Sequence, residues 1–247
     1  MGGYMGAWGY YGGILNILDR GYSDYTGAIV SSAIEADKFE VYKESSAIFT
    51  LNPVKYKDSK VVEQMTFDDL ILLTHCGNEA LNKYATHILK KDNIPITIRN
   101  AFSDKIVKTE IYNFKNHEGV VALTDKNCCV VTINTSDSIK NLKIIAEKYN
   151  MLAHTYNYGK LSIVIDDFDE GDLDFVGTVH VDKKFISIIG NFITNKVGFA
   201  RDIFNVIADL NVNLDDIIQT HNQNHMSFVI DSENATKTME TLNKKLF

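Results

Sequence analysis

Proline is scarce in this sequence, with two residues in 247, and there is no low-complexity tract. That excludes a disordered chain or a long proline-rich linker. Long apolar runs are missing too: none approaches the roughly 18 residues a membrane-spanning helix needs. The opening M-G-G-Y-M-G-A-W-G-Y-Y-G-G has no positive charge before Arg20 and too much glycine for the apolar core of a signal peptide. A cytoplasmic protein without a membrane partner is expected. A basic excess is also absent, since 25 Lys and Arg face 32 Asp and Glu for a formal charge of −7. Nucleic-acid binding draws most of its affinity from cations that release counterions, so nucleic acid is not an expected partner. Cysteine is limited to Cys76, Cys128 and Cys129, without C-x-x-C spacing. Cys128 and Cys129 are neighbours that face opposite sides of a strand. They suit small buried hydrophobes in a reducing compartment better than a metal or redox centre.

What is present is an ordinary globular composition, 45% hydrophobic and 11% aromatic with 23% charged residues. The length suits one large domain or two to three smaller ones. Ser23–Ala33 reads as a helix capped by Ser23 or Asp24, with Ala28, Ile29, Ser32 and Ala33 giving a small face for close packing. Phe39–Tyr42 alternates like a strand. Thr66-Phe-Asp-Asp69 resembles a capping box opening the apolar run Leu70–Leu73, and Gly77 ends that helix. Glu79–Leu89 supplies another helix. Ile94–Ile98 is a strand whose Pro95 belongs at its start or on an edge. Helices alternating with strands point to an α/β layer arrangement up to about Asn100.

Beyond Glu118 the texture changes. Cys128–Ile133 is a strand, Ser138–Tyr149 a helix and Leu161–Asp166 a second strand. The order recurs as Phe185–Ile189, Phe199–Leu210, Met226–Asp231 and a terminal helix to Phe247. L-S-I-V-I-D, ending at Asp166, and M-S-F-V-I-D, ending at Asp231, lie 65 residues apart. Two tandem strand–helix–strand units follow from this. Each is too small to bury much surface alone, so the copies should pack together or against a second chain. The acidic run Asp166–Asp172 is the expected solvated hinge between them. His221-Asn-Gln-Asn-His225 has two histidines four apart, but it lies where a hairpin loop is expected and lacks a third ligand. No metal site is expected there.

The stretch Asp19-Arg-Gly-Tyr-Ser-Asp24 stands just before a helix, whose N-terminus presents unpaired N–H groups and a positive dipole end to an anion. Arg20 adds a fork that can hold a carboxylate by two parallel hydrogen bonds. Lys43-Glu44 follows the strand ending at Tyr42. Alone, the first is a plain N-cap turn and the second an exposed charge pair.

Taken in order, these segments resemble the aspartate kinase family. D-R-G-Y-S-D is similar to its G-R-G-x-S/T-D, and Y-K-E-S-S-A-I-F-T-L-N-P (42–53) to its W-T/K-D/E-x-x-G-I/V-F/Y-T-x-D-P-R. T-H-C-G-N-E-A-L (74–81) resembles T-x-x-G-A/S-K/E-V-L/I-H-P, and N-I-P-I-T-I-R-N (93–100) resembles R/N-I-P-I/V-x-I/V-K/R-N. The tandem units look like the paired ACT domains of that family. The resemblance covers almost the entire chain. It implies an α/β fold: a partial amino-acid-kinase-type sandwich over 1–110, then two ferredoxin-like (βαββαβ) ACT domains over 118–172 and 173–247.

The implied activity is transfer of the ATP γ-phosphoryl, with Mg²⁺, to the side-chain carboxylate of aspartate. Carried over by motif, Arg20 clamps the substrate aspartate, with Ser23 and Asp24 at the same end of the site. Lys43, Glu44, Phe49, Lys55 and Glu79 belong to the nucleotide. Ser136, Ala153, Lys160, Asn191 and Val197 match effector-contact regions, for threonine or lysine, and the ACT units imply a homo-oligomer. The departures are Asn52-Pro53-Val54 for D-P-R, Leu81-Asn82-Lys83 for L-H-P and Ser45-Ser46-Ala47 for V-x-G. The family's N-terminal K-F/Y-G-G-S/T segment has no counterpart. The alternative is a non-catalytic ACT regulatory subunit that binds an amino acid and pairs with a catalytic chain.

Overall fold

The computed structural model describes residues 7–8, 13–14, 21–44, 47–78, 80–102, 107–114, 119–134, 138–166, 177–190, 196–219 and 224–247. It divides into two units, residues 1–122 and 123–247. Among the described residues no helix is long and apolar enough to cross a membrane.

The first unit opens with a short antiparallel pair, β1 (Ala7–Trp8) and β2 (Gly13–Ile14). Helix α1 (Tyr22–Ala33) leads into β3 (Phe39–Lys43). After β4 (Gln64–Met65) come α2 (Phe67–His75), α3 (Lys83–Lys91), β5 (Ile96–Asn100) and β6 (Lys108–Ile111). The sheet order is β3-β5-β6-β4, with β3 parallel to β5 and β5 antiparallel to β6. Ile96 and Ile98 of the central β5, with Met65, Phe67, Leu70, Leu73 and Leu89, form the buried core. Thr109 is buried among them with its hydroxyl satisfied: it accepts from Ile48 N–H at 2.8 Å and donates to the Val62 carbonyl at 2.7 Å. That pins the long excursion between β3 and β4 to the sheet.

Local rules account for most of these boundaries. Thr66 and Asp69 close a reciprocal capping box at the start of α2. Gly77, at φ 115°, follows its end. Pro95 stands just before β5, where its missing N–H costs no ladder bond, and its carbonyl accepts from Phe39 N–H. Two expectations are corrected. Helix α3 begins at Lys83 rather than Glu79, because the Asn82 side-chain oxygen accepts from Tyr84 N–H and Ala85 N–H and so sets the start there. Helix α1 has no side-chain cap; Gly21, in the left-handed region at φ 80°, precedes it. Ala28 is its buried small residue, whereas Ile29 and Ala33 are exposed.

The second unit is one six-stranded sheet with helices. Its strands are β7 (Val120–Asn134), β8 (Met151–Asn157), β9 (Lys160–Ile165), β10 (Gly177–Gly190), β11 (Asp216–Ile218) and β12 (His225–Asp231). Helices α4 (Ser138–Lys148), α5 (Phe199–Asp209) and α6 (Ala235–Leu246) intervene. The strand order is β11-β12-β10-β7-β9-β8, so a strand–helix–strand–strand repeat occurs twice with its long first strands side by side. Only the second half of each long strand serves its own repeat: Cys129–Asn134 of β7 pair with β9, and Lys183–Ile189 of β10 pair with β12. The first halves cross over. Gly177 lies against the Thr132 carbonyl, and Lys184 reaches Asp125 at 3.2 Å. As the number rises along β10 the facing position on β7 falls, which is an antiparallel run.

Side chains follow the strand alternation. Val131, Ile133, Leu161, Ile163 and Ile165 pack with Ile145 of α4, and Cys129 joins that side. Cys128 and Cys76 are buried, Cys129 half-buried, and none of the three is in a disulfide. Asp166 is no solvated hinge residue: it accepts from Lys126 at 2.7 Å and from Asn150 at 2.6 Å. The rest of the acidic run, 167–172, lies outside the described residues, as does His221. His225 sits buried on β12, and no group of three metal-ligating side chains occurs among the described residues.

Two predictions follow from this packing. A Cβ on Gly177 would stand 2.8 Å from the Thr132 carbonyl oxygen, a backbone atom that cannot swing aside. Gly177→Ala should therefore lower stability by about 1–3 kcal/mol in urea denaturation. Burial pushes the Cys128 thiol from near 9 up to about 12, with Cys129 beside it adding to the rise. The folded chain thus holds that proton more tightly than the unfolded chain. Its stabilising effect is complete below about pH 9 and is lost as pH rises toward 12. At pH 8 maleimide should label Cys129 first and Cys128 only after denaturation, as read by peptide mass spectrometry.

Candidate active site

Parallel pairing puts the carboxyl ends of β3 and β5 on one edge of the first unit's sheet, the place where open α/β sheets hold ligands. Lys43 and Asn100 face each other in that register. The starts of α1 and α3 come to the same edge. Asp24, in the first turn of α1, is the meeting point. Its Oδ2 accepts from Lys43 Nζ at 3.1 Å and from the Asn82 backbone N–H at 3.3 Å. Both charged side chains are partly buried, 26% exposed for Lys43 and 13% for Asp24, so the pair is sheltered from bulk screening. Gly21 is required beside it on two counts, a positive φ and an Asn82 Cβ that would lie 2.9 Å from any added Cβ. Tyr25 and Tyr84 stack edge-on across the two helices, with ring centroids 6.3 Å apart.

Glu44 continues the strand end with an exposed side chain, and its carbonyl accepts from Asn100 Nδ2 at 2.7 Å. Ser23 is exposed at the start of α1. Phe49 and Lys55 belong to the excursion between β3 and β4. Phe49 bridges Val61, and Lys55 lies over the Tyr56 ring at 5.1 Å. Val54 is 96% exposed. Asp24 and Lys43 are thus joined directly, with Glu44 following on the chain. Arg20 and Glu79 lie outside the described residues.

Asn82 and Asn100 were not singled out by sequence as site residues. A helix-capping signal at Asn82 was available: an Asn directly before a run of helix formers. In the second unit, Ala153 is half-buried on β8, Lys160 is exposed at the start of β9, and Val197 is exposed in the turn before α5. Ser136 and Asn191 lie outside the described residues.

Comparison with known proteins decides between an isolated fold and a family likeness. Residues 9–100 match the amino acid kinase family, and residues 186–246 match an ACT domain. The Asp24–Lys43–Asn82 node falls wholly inside the residues that match the amino acid kinase family. Among relatives, the aspartokinase of Saccharomyces cerevisiae is 25% identical over 96% of this chain and 54% of its own length. That of Candida albicans is 26% identical over 99% of this chain and 53% of its own. The chain therefore spans about half the length of the curated relatives it matches. Escherichia coli aspartokinase III, solved with aspartate and ADP, shares the fold at a TM-score of 0.83 and 18% identity, covering 95% of this chain and 58% of that one.

The node makes a stability prediction. Asp24→Ala and Lys43→Ala should each cost about 1–3 kcal/mol, because each strands a partly buried charge. The double variant should cost less than their sum, by a coupling of about 0.5–3 kcal/mol in a denaturation cycle.

Proposed function

We propose that this chain is an aspartate kinase polypeptide. It transfers the γ-phosphoryl group of ATP to the aspartate side-chain carboxylate and gives 4-phospho-aspartate, the entry to lysine, threonine and methionine synthesis. The observation that carries this reading is the node of Asp24, Lys43 and Asn82, set at the carboxyl ends of parallel strands within the kinase-matching residues. A carboxylate nucleophile has an ordinary pKa of about 4 and is already ionised at neutral pH, so no general base is needed. The protein's task is to bring two anions together and answer the charge that builds on the phosphoryl oxygens.

Lys43 is the cation for that work, and the Asp24 carboxylate together with the strand end fixes its direction. Glu44 and Phe49 are assigned to the nucleotide, with Lys55 and Glu79. Arg20 and Ser23 are assigned to substrate aspartate. Asp24 is spent on Lys43 and Asn82, so the residues present suit a metal delivered by the nucleotide better than a protein-held one. Mg²⁺ supplies charge neutralisation on the phosphate oxygens when bound.

The domain reading that goes with this is a kinase part over 1–110 and two ACT domains over 118–172 and 173–247, in a cytoplasmic homo-oligomer joined through those domains. The shared long strands of the second unit support two interlocked ACT domains, each completed by a half-strand of the other. Escherichia coli aspartokinase III has also been solved with lysine and aspartate. By likeness, Ser136, Ala153, Lys160, Asn191 and Val197 are assigned to a lysine or threonine effector. A purely regulatory chain has no need of the Lys43–Asp24 pair, and that disfavours the alternative of a non-catalytic subunit.

The test incubates the 247-residue chain with ATP, Mg²⁺ and aspartate and traps acyl phosphate with hydroxylamine. Aspartate-dependent hydroxamate should form, and Lys43→Ala should reduce it by about 10²-fold or more. Absence of both turnover and saturable ATP binding would overturn the reading.

A further inference from the structure

The parallel ladder between β3 and β5 ends at the pair Lys43 and Asn100. The two strands do not part there. The Ala101 N–H donates to the Lys43 carbonyl at 2.8 Å, the last backbone bond between them. One residue further on, a side chain takes over: Asn100 Nδ2 donates to the Glu44 carbonyl at 2.7 Å. The same amide is held from its other end, since Phe102 N–H donates to Asn100 Oδ1 at 2.5 Å. Donor and acceptor of one planar group are thus both in use, and a flipped amide would set oxygen against oxygen and nitrogen against N–H. The amide therefore has one orientation. Asn100 carries the pairing one position past the end of the ladder.

The residue it reaches is exposed. Among the described residues the Glu44 carboxylate has no partner. Its neighbour Lys43 differs, because the Asp24 carboxylate already directs that ammonium at 3.1 Å. Successive residues at the strand end are thus fixed by different means: Lys43 through its side chain, Glu44 through its backbone. The chain that follows is fastened again at Ile48, whose N–H donates to the Thr109 hydroxyl at 2.8 Å. Glu44 and Ile48 anchor the stretch that leads to Phe49. A free Glu44 carbonyl would find water as readily as Asn100, so this bond adds little to folding. What it removes is freedom of direction in a residue beside the candidate site.

We infer that Asn100 is a positioning residue for the nucleotide half of that site. It acts by holding the Glu44 backbone, so that the Glu44 carboxylate meets the nucleotide at a set place. The inference rests on the kinase reading and adds to it a residue to which that reading gives no role.

The experiment is calorimetric titration of the 247-residue chain with ADP and Mg²⁺, and separately with aspartate. Asn100→Ala should weaken ADP at least about tenfold and leave aspartate unchanged. Asn100→Ser separates the two bonds without adding charge: its hydroxyl still serves the Phe102 N–H two residues on but falls short of the Glu44 carbonyl. It should lose ADP as Asn100→Ala does. In a Glu44→Ala background, Asn100→Ala should have little further effect, because the group it positions is gone. Unaltered ADP affinity in Asn100→Ala, recovery in Asn100→Ser, equal losses of ADP and aspartate, or full additivity with Glu44→Ala would each overturn the role. If the unsubstituted chain binds no ADP, the kinase reading falls and this inference with it. If it binds ADP and the Asn100 variants bind equally well, only this inference falls.

Discussion

One carboxylate holds the candidate active site together. Asp24 leaves the first turn of α1, where a free carboxylate would serve the helix dipole or a cap, and instead takes Lys43 from the end of β3 and the Asn82 N–H from the start of α3. Three separate pieces of chain are thereby brought to one point. A loosened Asp24 would leave a partly buried lysine without its counter-charge and would free the loop around Gly21 from Asn82. The cation's direction is therefore set by the fold and does not wait for a ligand. That is how a site loses little reorganisation energy when negative charge develops in front of it.

In the second unit the corresponding constraint is covalent continuity. β7 and β10 each serve two neighbours along their length, so the repeats cannot separate without breaking a strand in its middle. Single repeats of this size bury too little to stand alone. Sharing the long strands gives each repeat an extra paired edge, and Gly177 marks where the backbones approach too closely for any side chain.

Much of the fold was legible because its signals are local. The Thr66–Asp69 capping box, the turn at Gly77, the placement of Pro95 and the 65-residue repeat each depend on residues within a few positions or on direct self-similarity. Where the reading missed, a distant partner had intervened. Asp24 looks like a cap in sequence, but Lys43 and Asn82 recruit its oxygen, leaving α1 to start from Gly21. The start of α3 was misplaced because Glu79 begins the helical pattern, whereas Asn82 supplies the capping oxygen. Strand sharing was invisible for the same reason: periodicity tells which face a residue takes, not which neighbour a strand finds. The site was legible only in part. Asp24 and Lys43 were named from motif order, but their direct contact, and the role of Asn82 between them, came only from the fold.

The two repeats also show how a duplicated sequence acquires unequal chemistry. The aspartates that end the matching hexapeptides are used alike: Asp166 accepts from Lys126 and Asp231 from Lys183, each lysine on a long strand. The matching serines diverge. Ser227 is sealed between β10 and β12, where its hydroxyl must find Ser187 or go unpaired at a cost of about 1–3 kcal/mol. Ser162, on β9 between β7 and β8, is only half-buried, so no such necessity holds it, and it bonds Asp216 instead. The duplicated position thus closes the packing within one repeat and ties the two repeats together in the other.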